Sequence, residues 1–553
     1  MALAALPYHE PGIVTILIQA SFLIILNGIN WVLDNAIYCG LVGQILIGVA
    51  WGTPGANWLS QEVQDTVMQL GYLGLILIVY EGGLSTSFGS LWSNIYLSGL
   101  VALIGITLPI GISYVLMELL GATPVQAFAA GAALCSTSLG TTFTILSTSG
   151  LEKSRLGVIL SSAAMLDDVA GLVMVQVISN LGGSADSFSA VTVIRPVFVS
   201  IAFAVVVPAF CWAVVKPITK YVFSGPTTAE KEKSKVRGWI CTPVSAFAAH
   251  TLILLGLVTG STYAGTSNLF AAYIAGAVVN WWDALVSTTL QEQRPAPVTE
   301  KSVRKGQKAS TSSGGQMTTP SPPTSDASTS LTDQPVSTTH EKLRGAVIYE
   351  HMCAPAMNSI LKPFFFTSIG FSIPITQMFR GAIVWRGIVY TILMIFGKLA
   401  CGIVLVRFTS TSAKVQLPEG QQSTETAASN ETPDSQTGEQ APSANSKRKR
   451  QAPRKLPKPQ SLYPSLMLGS AMVARGEIGF LISSLAESNG VFGTVEGGGS
   501  SDIFLVATWA ILLCTIIGPV SIGAMVNRVK KLQKARAADT TKPDPLGGWG
   551  VES

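Results

Sequence analysis

Apolar positions along this chain gather into runs of about twenty residues, the length an α-helix needs to cross a bilayer. Thirteen candidate spans follow: 13–33, 37–51, 67–80, 95–119, 124–148, 156–178, 196–215, 241–258, 269–285, 357–379, 382–406, 466–485 and 503–526. The second and third fall short of about seventeen residues, so a re-entrant or protein-buried helix stays open for them. Two interruptions, 291–340 and 409–460, are rich in Ser, Thr, Pro, Gln and Gly and hold almost nothing to bury, which predicts disordered linkers. The expected division is therefore membrane segments at 13–285, 349–406 and 462–527, linkers at 286–348 and 407–461, and a tail at 528–553. The fold class is an all-α polytopic membrane protein.

Composition agrees: 48% of residues are hydrophobic and 12% charged, against about 25% charged in soluble domains. The net charge of +5 sits in a few connections rather than along a stripe, which argues against a nucleic-acid partner. With thirteen spans, the basic connections at 152–155, 216–237, 291–344 and 447–458 and the tail from Arg528 share one side, predicted to be cytoplasmic. The N-terminus is then outside and the C-terminus cytoplasmic. Lys447 to Arg450 reads as a polybasic segment near anionic lipid, and the sequon at Asn430 as cytoplasmic and unglycosylated. Seven cysteines without metal-ligand spacing read as free thiols. No basic region precedes the first run, so no removable signal peptide is expected.

Candidate chemistry begins with Asp167 and Asp168, adjacent carboxylates in the middle of the sixth span. An aspartate at that depth costs roughly 2.5–3.5 kcal/mol on insertion scales, so a retained pair points to an ion or proton site. Neighbours on a helix project about 100° apart, so the two serve different partners. One suits a cation that is shed when the carboxylate protonates; the other can pair with a buried base. Lys398, deep in the eleventh span, is the candidate base, with a snorkelling lysine as the bland alternative. The fifth span carries Ser136, Thr137, Ser138, Thr141 and Thr142, which suits an unwound crossing whose carbonyls and hydroxyls ligate a small ion. A Ser/Thr-rich packing helix is its alternative. The twelfth span holds Arg475 and Glu477, expected to neutralise each other or nearby dipoles and to act as structural or gating elements. Glu81 has a possible funnel or pH-sensing role; Glu118, His250 and Asn280 weigh less.

A Ser/Thr-rich span, an Asp-Asp span directly after it, a Gly-Lys span late in the chain and then Arg475-Gly476-Glu477 make an order of motifs. With the flanking stretches at 43–55, 71–84 and 364–371, it resembles the sodium/proton exchanger superfamily, and within it the monovalent cation:proton antiporter family 2. The resemblance covers 13–526, and the Ser/Thr/Pro linkers suggest a fungal member. It implies an inverted-repeat fold of thirteen helices, with a scaffold unit, a core unit and two broken crossing helices. It further implies Asp168 as the principal cation and proton carboxylate, Asp167 as the partner of Lys398, and Thr137, Ser138 and Thr141 as broken-helix ligands. Asp168 would be the metal ligand for transported Na+ or K+. Exchange against protons would be electrogenic, by alternating access, without a cofactor and without enzymatic chemistry, in a homodimer. The plasma membrane is favoured over vacuolar, Golgi or endosomal membranes. No nucleotide-binding domain is expected after the last span.

Two rivals stand beside this. An intramembrane aspartyl protease needs facing carboxylates from separate helices, which adjacent residues do not supply. A sodium-coupled solute symporter of related fold keeps the carboxylates but leaves Lys398 without a reason.

Overall fold

The computed structural model describes residues 10–37, 39–86, 88–138, 151, 154–182, 190–223, 242–292, 344–406, 461–493, 499–538 and 545–550. Thr141, both linker centres, Cys241, the sequon and Lys447 to Arg450 lie outside them. The described chain is helical. Its principal elements are α1 (Ile13–Ile37), α2 (Gly40–Trp51), α3 (Gln61–Leu84), α4 (Ile95–Ser113), α5 (Pro124–Ala133), α6 (Arg155–Leu181) and α7 (Ala190–Phe210). These are followed by α8 (Pro243–Ala264), α9 (Asn268–Glu292), α10 (Gly345–Met352), α11 (Lys362–Phe371) and α12 (Gly381–Leu399). Last come α13 (Tyr463–Val473), α14 (Glu477–Ser488) and α15 (Asp502–Ala538).

Ten helices among the described residues are long and apolar enough to cross a membrane. The other three expected spans are helical in shorter pieces: α2 has 12 residues, α5 is described only as far as a break, and a π-helical turn at Met357–Leu361 precedes α11. Helix boundaries run past the apolar limits in several places. α3 begins at Gln61, a π-helical turn carries α7 on into a helix at Lys216–Phe223, the tenth segment starts at Gly345, and α15 continues to Ala538. Hydropathy marks the bilayer slab, whereas backbone hydrogen bonding continues into water wherever helix-forming side chains allow it.

Helix contacts sort the chain into two bodies. In one, α3 packs on α9, α11 lies against α2 and α3, and α1 lies on α2. In the other, α12 and α13 pack on α15, α4 on α5, α6 and α12, and α14 on α5 and α6. In lipid no hydrophobic gain separates helix from tail, so close backbone approach must hold such contacts. Small residues provide it. A Cβ added to Gly83 would sit 2.1 Å from the Tyr273 carbonyl oxygen, and one added to Gly276 would sit 2.2 Å from that of Tyr80. Gly48 and Gly370 make the same reciprocal approach between α2 and α11. The membrane windows of α1 and α7 are largely exposed, as lipid-facing helices are, whereas the α13–α14 span is the most enclosed.

The second body is closed at one end by residues 545–550. Leu546 and Trp549 are buried in a cluster with Leu156, Leu160 and Val529. The Arg155 guanidinium lies 5.3 Å from the Trp549 ring centroid, and Ser461 Oγ donates to the Pro545 carbonyl at 2.5 Å.

Candidate functional site

α5 starts with a Thr123–Gln126 capping box and Pro124 in its first turn, and ends at Ala133. Residues 134–138 leave the helix. Between α13 and α14, residues 474–476 do the same. The two interruptions meet. Ser138 N donates to the Ala474 carbonyl at 3.0 Å, and Arg475 Nη1 donates to the Ser136 carbonyl at 2.7 Å. Backbone groups freed in a medium without water are thus satisfied by each other. Gly476 is required by this approach, since a Cβ there would lie 2.8 Å from both Cβ and Oγ of Ser138.

α6 runs past this junction. Its N-cap Ser154 accepts from Gly157 N, and its 27 residues span about 40 Å. Asp167 and Asp168 lie near its middle and, one residue apart, meet different surroundings. Asp167 is fully buried, and its Oδ2 accepts from Lys398 Nζ at 2.7 Å and from Thr137 Oγ1 at 2.5 Å. Lys398, also fully buried, uses its other donors on the Cys135 carbonyl at 2.5 Å and Thr137 Oγ1 at 3.1 Å. An ammonium has three N–H groups, and all three are used, so this lysine does not snorkel to a surface. Thr137 links the pair in both directions, accepting from the ammonium and donating to the carboxylate.

Asp168 faces the other way, into a cavity of about 540 Å³ between the two bodies. Ser138, Leu172 and Glu477 line it beside Asp168, and Asp34, Glu81, Tyr273, Asn358 and Lys362 line it from the opposite body. Asp34, Glu81 and Asn358 are exposed, whereas Asp168 is buried, so the cavity leads inward from one end of the bundle to the middle of α6.

The structure therefore brings Asp167, Asp168, Lys398, Thr137, Ser138, Arg475 and Glu477 to one junction, with Thr141 outside the described residues. It separates Arg475 from Glu477, which were expected to neutralise each other or nearby dipoles, and gives Arg475 the second of these, the Ser136 carbonyl. Among the described residues no ion pair joins them: Arg475 turns to Ser136, while half-buried Glu477 begins α14 and lines the cavity. Arg475 sits in the non-helical turn and Glu477 at a helix start, so helical spacing does not apply between them. Sequence reasoning missed Asp34 and Lys362, because charges near span ends look like ordinary interfacial residues, and Tyr273, an aromatic residue within an apolar span. His250 packs edge-on against Trp282, and Asn280 Nδ2 donates to the Thr86 carbonyl at 2.6 Å; neither lines the cavity. The six described cysteines are free, and no cluster of three or more His, Cys, Asp or Glu suited to a metal occurs among the described residues.

The family model described as "Sodium/hydrogen exchanger, transmembrane" matches residues 35–305. The chain is 32% identical over 143 residues to the high-affinity Na+/H+ antiporter NhaS3 of Synechocystis sp., covering 26% of this chain and 31% of that protein. Residues 35–305 belong to the sodium/proton exchanger superfamily. The chain is also 29% identical over 146 residues to the Na+/H+-K+ antiporter GerN of Bacillus cereus, covering 26% of this chain and 37% of that protein. The aligned stretches thus span about a third of these two relatives' lengths. The sodium proton antiporter MjNhaP1 of Methanocaldococcus jannaschii superposes with a TM-score of 0.51 at 12% identity, over 93% of this chain and 98% of that one. That likeness shows the exchanger fold, in agreement with the all-helical architecture expected from the sequence.

Proposed function

We propose that this protein exchanges a monovalent cation, Na+ or K+, for protons across a membrane by alternating access, with Asp168 as the carboxylate for which the two compete. The observation that carries the reading is the asymmetry of the Asp pair. Lys398 and Thr137 occupy one oxygen of Asp167, while the Asp168 carboxylate stands at the inner end of the cavity with no hydrogen bond to the protein among the described residues. A cation reaching that point exchanges part of its hydration shell for oxygen ligands, to which Asp168, Ser138 and Glu477 contribute. A proton on Asp168 removes the charge that holds the ion, so occupancy by one excludes the other and the two flows are coupled. The Asp167–Lys398 pair and Arg475 act as structural and electrostatic supports of the junction, and Thr141 joins Thr137 and Ser138 as a broken-helix ligand.

The position of the cavity between two separately packed bodies supports the transport step. Movement of the body carrying α6, α13 and α14 against the one carrying α2, α3 and α11 exposes Asp168 to the other side. On the charge-derived topology, the end bearing Asp34 and Glu81 is cytoplasmic. We assign the protein as a dimer in the plasma membrane, extending the resemblance of its motifs.

The test is proton flux in proteoliposomes holding a pH gradient, with sodium, potassium or lithium added in turn to wild type and Asp168→Asn. A cation-triggered flux that the variant loses supports the reading. Full exchange by a folded variant removes Asp168 from the site, and a silent wild type, correctly inserted, removes exchange.

A further inference from the structure

We propose that Lys362 is a tethered counter-cation of the cavity, competing with the transported ion for its acidic groups and setting the affinity with which that ion is held. This rests on the exchange reading above.

Lys362 is the one basic residue among the described residues lining the cavity, where it faces Asp34, Glu81, Asp168 and Glu477. It is half-buried, and among the described residues no carboxylate lies within ion-pair distance of it. Two of the four carboxylates that share the cavity with it are Glu81 on α3 and Glu477 on α14. Those two belong to opposite bodies of the molecule. A lysine charge is compact, carries one positive unit and rides on a flexible four-carbon stem, so it resembles a monovalent cation that cannot leave.

The local backbone holds its base still. The π-helical turn Met357–Leu361 ends directly before Lys362, and Pro363 follows it. Such turns add a residue to the local register and re-aim the side chains that follow, and proline fixes φ at the next position. The Cα is thus set in the cavity wall while the ammonium keeps a range of positions. Lys398 offers the contrast: with every donor satisfied, it has none left for the cavity.

The consequence for transport follows from Coulomb's law. With the cavity empty of cargo, the ammonium offsets part of the repulsion among the four carboxylates; with cargo present, it repels the ion and weakens its hold. Weaker hold eases release on the far side.

The test compares wild type, Lys362→Gln and Lys362→Arg as full-length protein, with sodium, potassium and lithium as probes. Two readouts are taken: the cation concentration giving half-maximal proton flux in proteoliposomes, and that giving half-maximal thermal stabilisation in detergent. Lys362→Gln is expected to lower both about threefold to tenfold and to lower the maximal rate as release slows, whereas Lys362→Arg stays within about twofold of wild type. A merely structural lysine would not tighten binding. Half-saturation in Lys362→Gln equal to or above that of wild type overturns the inference while leaving exchange intact, as does an arginine variant that behaves like glutamine. A wild type that responds to none of the cations in either assay overturns exchange and this inference with it. Should Lys362→Gln fail to fold, Lys362→Met, neutral and of similar length, carries the same comparison.

Discussion

Asp167 and Asp168 are adjacent in the chain and opposite in circumstance. Around Asp167 the protein supplies a cation, a hydroxyl and full burial; around Asp168 it supplies a cavity and a second carboxylate, Glu477. Two identical side chains are therefore set to different tasks by about 100° of helix rotation. A buried carboxylate whose partner is protein is part of the architecture. One whose partner must arrive from solution is a site. The comparison extends to the lysines, since Lys398 is spent on Asp167 and Cys135 while Lys362 stands unpaired in the cavity among the described residues.

The sharpest way to break the comparison is to neutralise each carboxylate in turn. Asp168→Asn should reduce cation-driven proton flux at least about a hundredfold, since the group proposed to exchange cargo is gone, with little change in the unfolding midpoint in detergent. Asp167→Asn should reverse the emphasis, lowering the unfolding midpoint because Lys398 is left buried without its counter-charge. Equal effects of the two variants on both readouts would end the division of roles.

Next in size is the ion pair itself. Removing one partner of a buried pair costs about 3–5 kcal/mol, so Lys398→Ala should destabilise the protein by that order in chemical unfolding. The double variant Asp167→Asn with Lys398→Met should regain much of it, because neither charge is then stranded. A double variant no better than Lys398→Ala would contradict the pairing as the source of the loss.

Smaller effects probe the two bodies. Gly83→Val forces a side chain into the Tyr273 backbone and should cost about 1–3 kcal/mol, whereas Gly82→Ala, with open space around it, should be close to neutral. Smallest is Glu81→Gln at the mouth of the cavity. An exposed carboxylate mainly raises the local cation concentration, so half-saturation should rise about twofold at low salt and return to wild type at high ionic strength.

Much of this arrangement was legible in the chain. The depth of Asp167, Asp168 and Lys398 follows from the apolar runs around them, because nothing but a membrane span tolerates such runs and nothing but a partner or a cargo retains such charges. The helix breaks were legible as clusters of hydroxyls and glycines. Helix ends were not: the tail expected from Arg528 is helical to Ala538, since Lys, Gln, Ala and Arg are good helix formers in water. Nor was the fate of Arg475 and Glu477, which two-residue spacing joins and a broken helix separates.

Sequence alone thus determined which residues lie in the membrane and that two carboxylates with a lysine form its centre, because burial of charge is a cost that local pattern records. Local pattern left open which aspartate meets the lysine; the resemblance of the motifs assigned Asp167 to it, and the tertiary structure shows that contact, with Asp168 at the cavity. Only the tertiary structure decided that Glu477, Glu81, Asp34 and Lys362 share that cavity. Those residues come from α14, α3, α1 and α11, far apart in the chain. Their meeting depends on how two helical bodies pack, and no local run of residues encodes that distance.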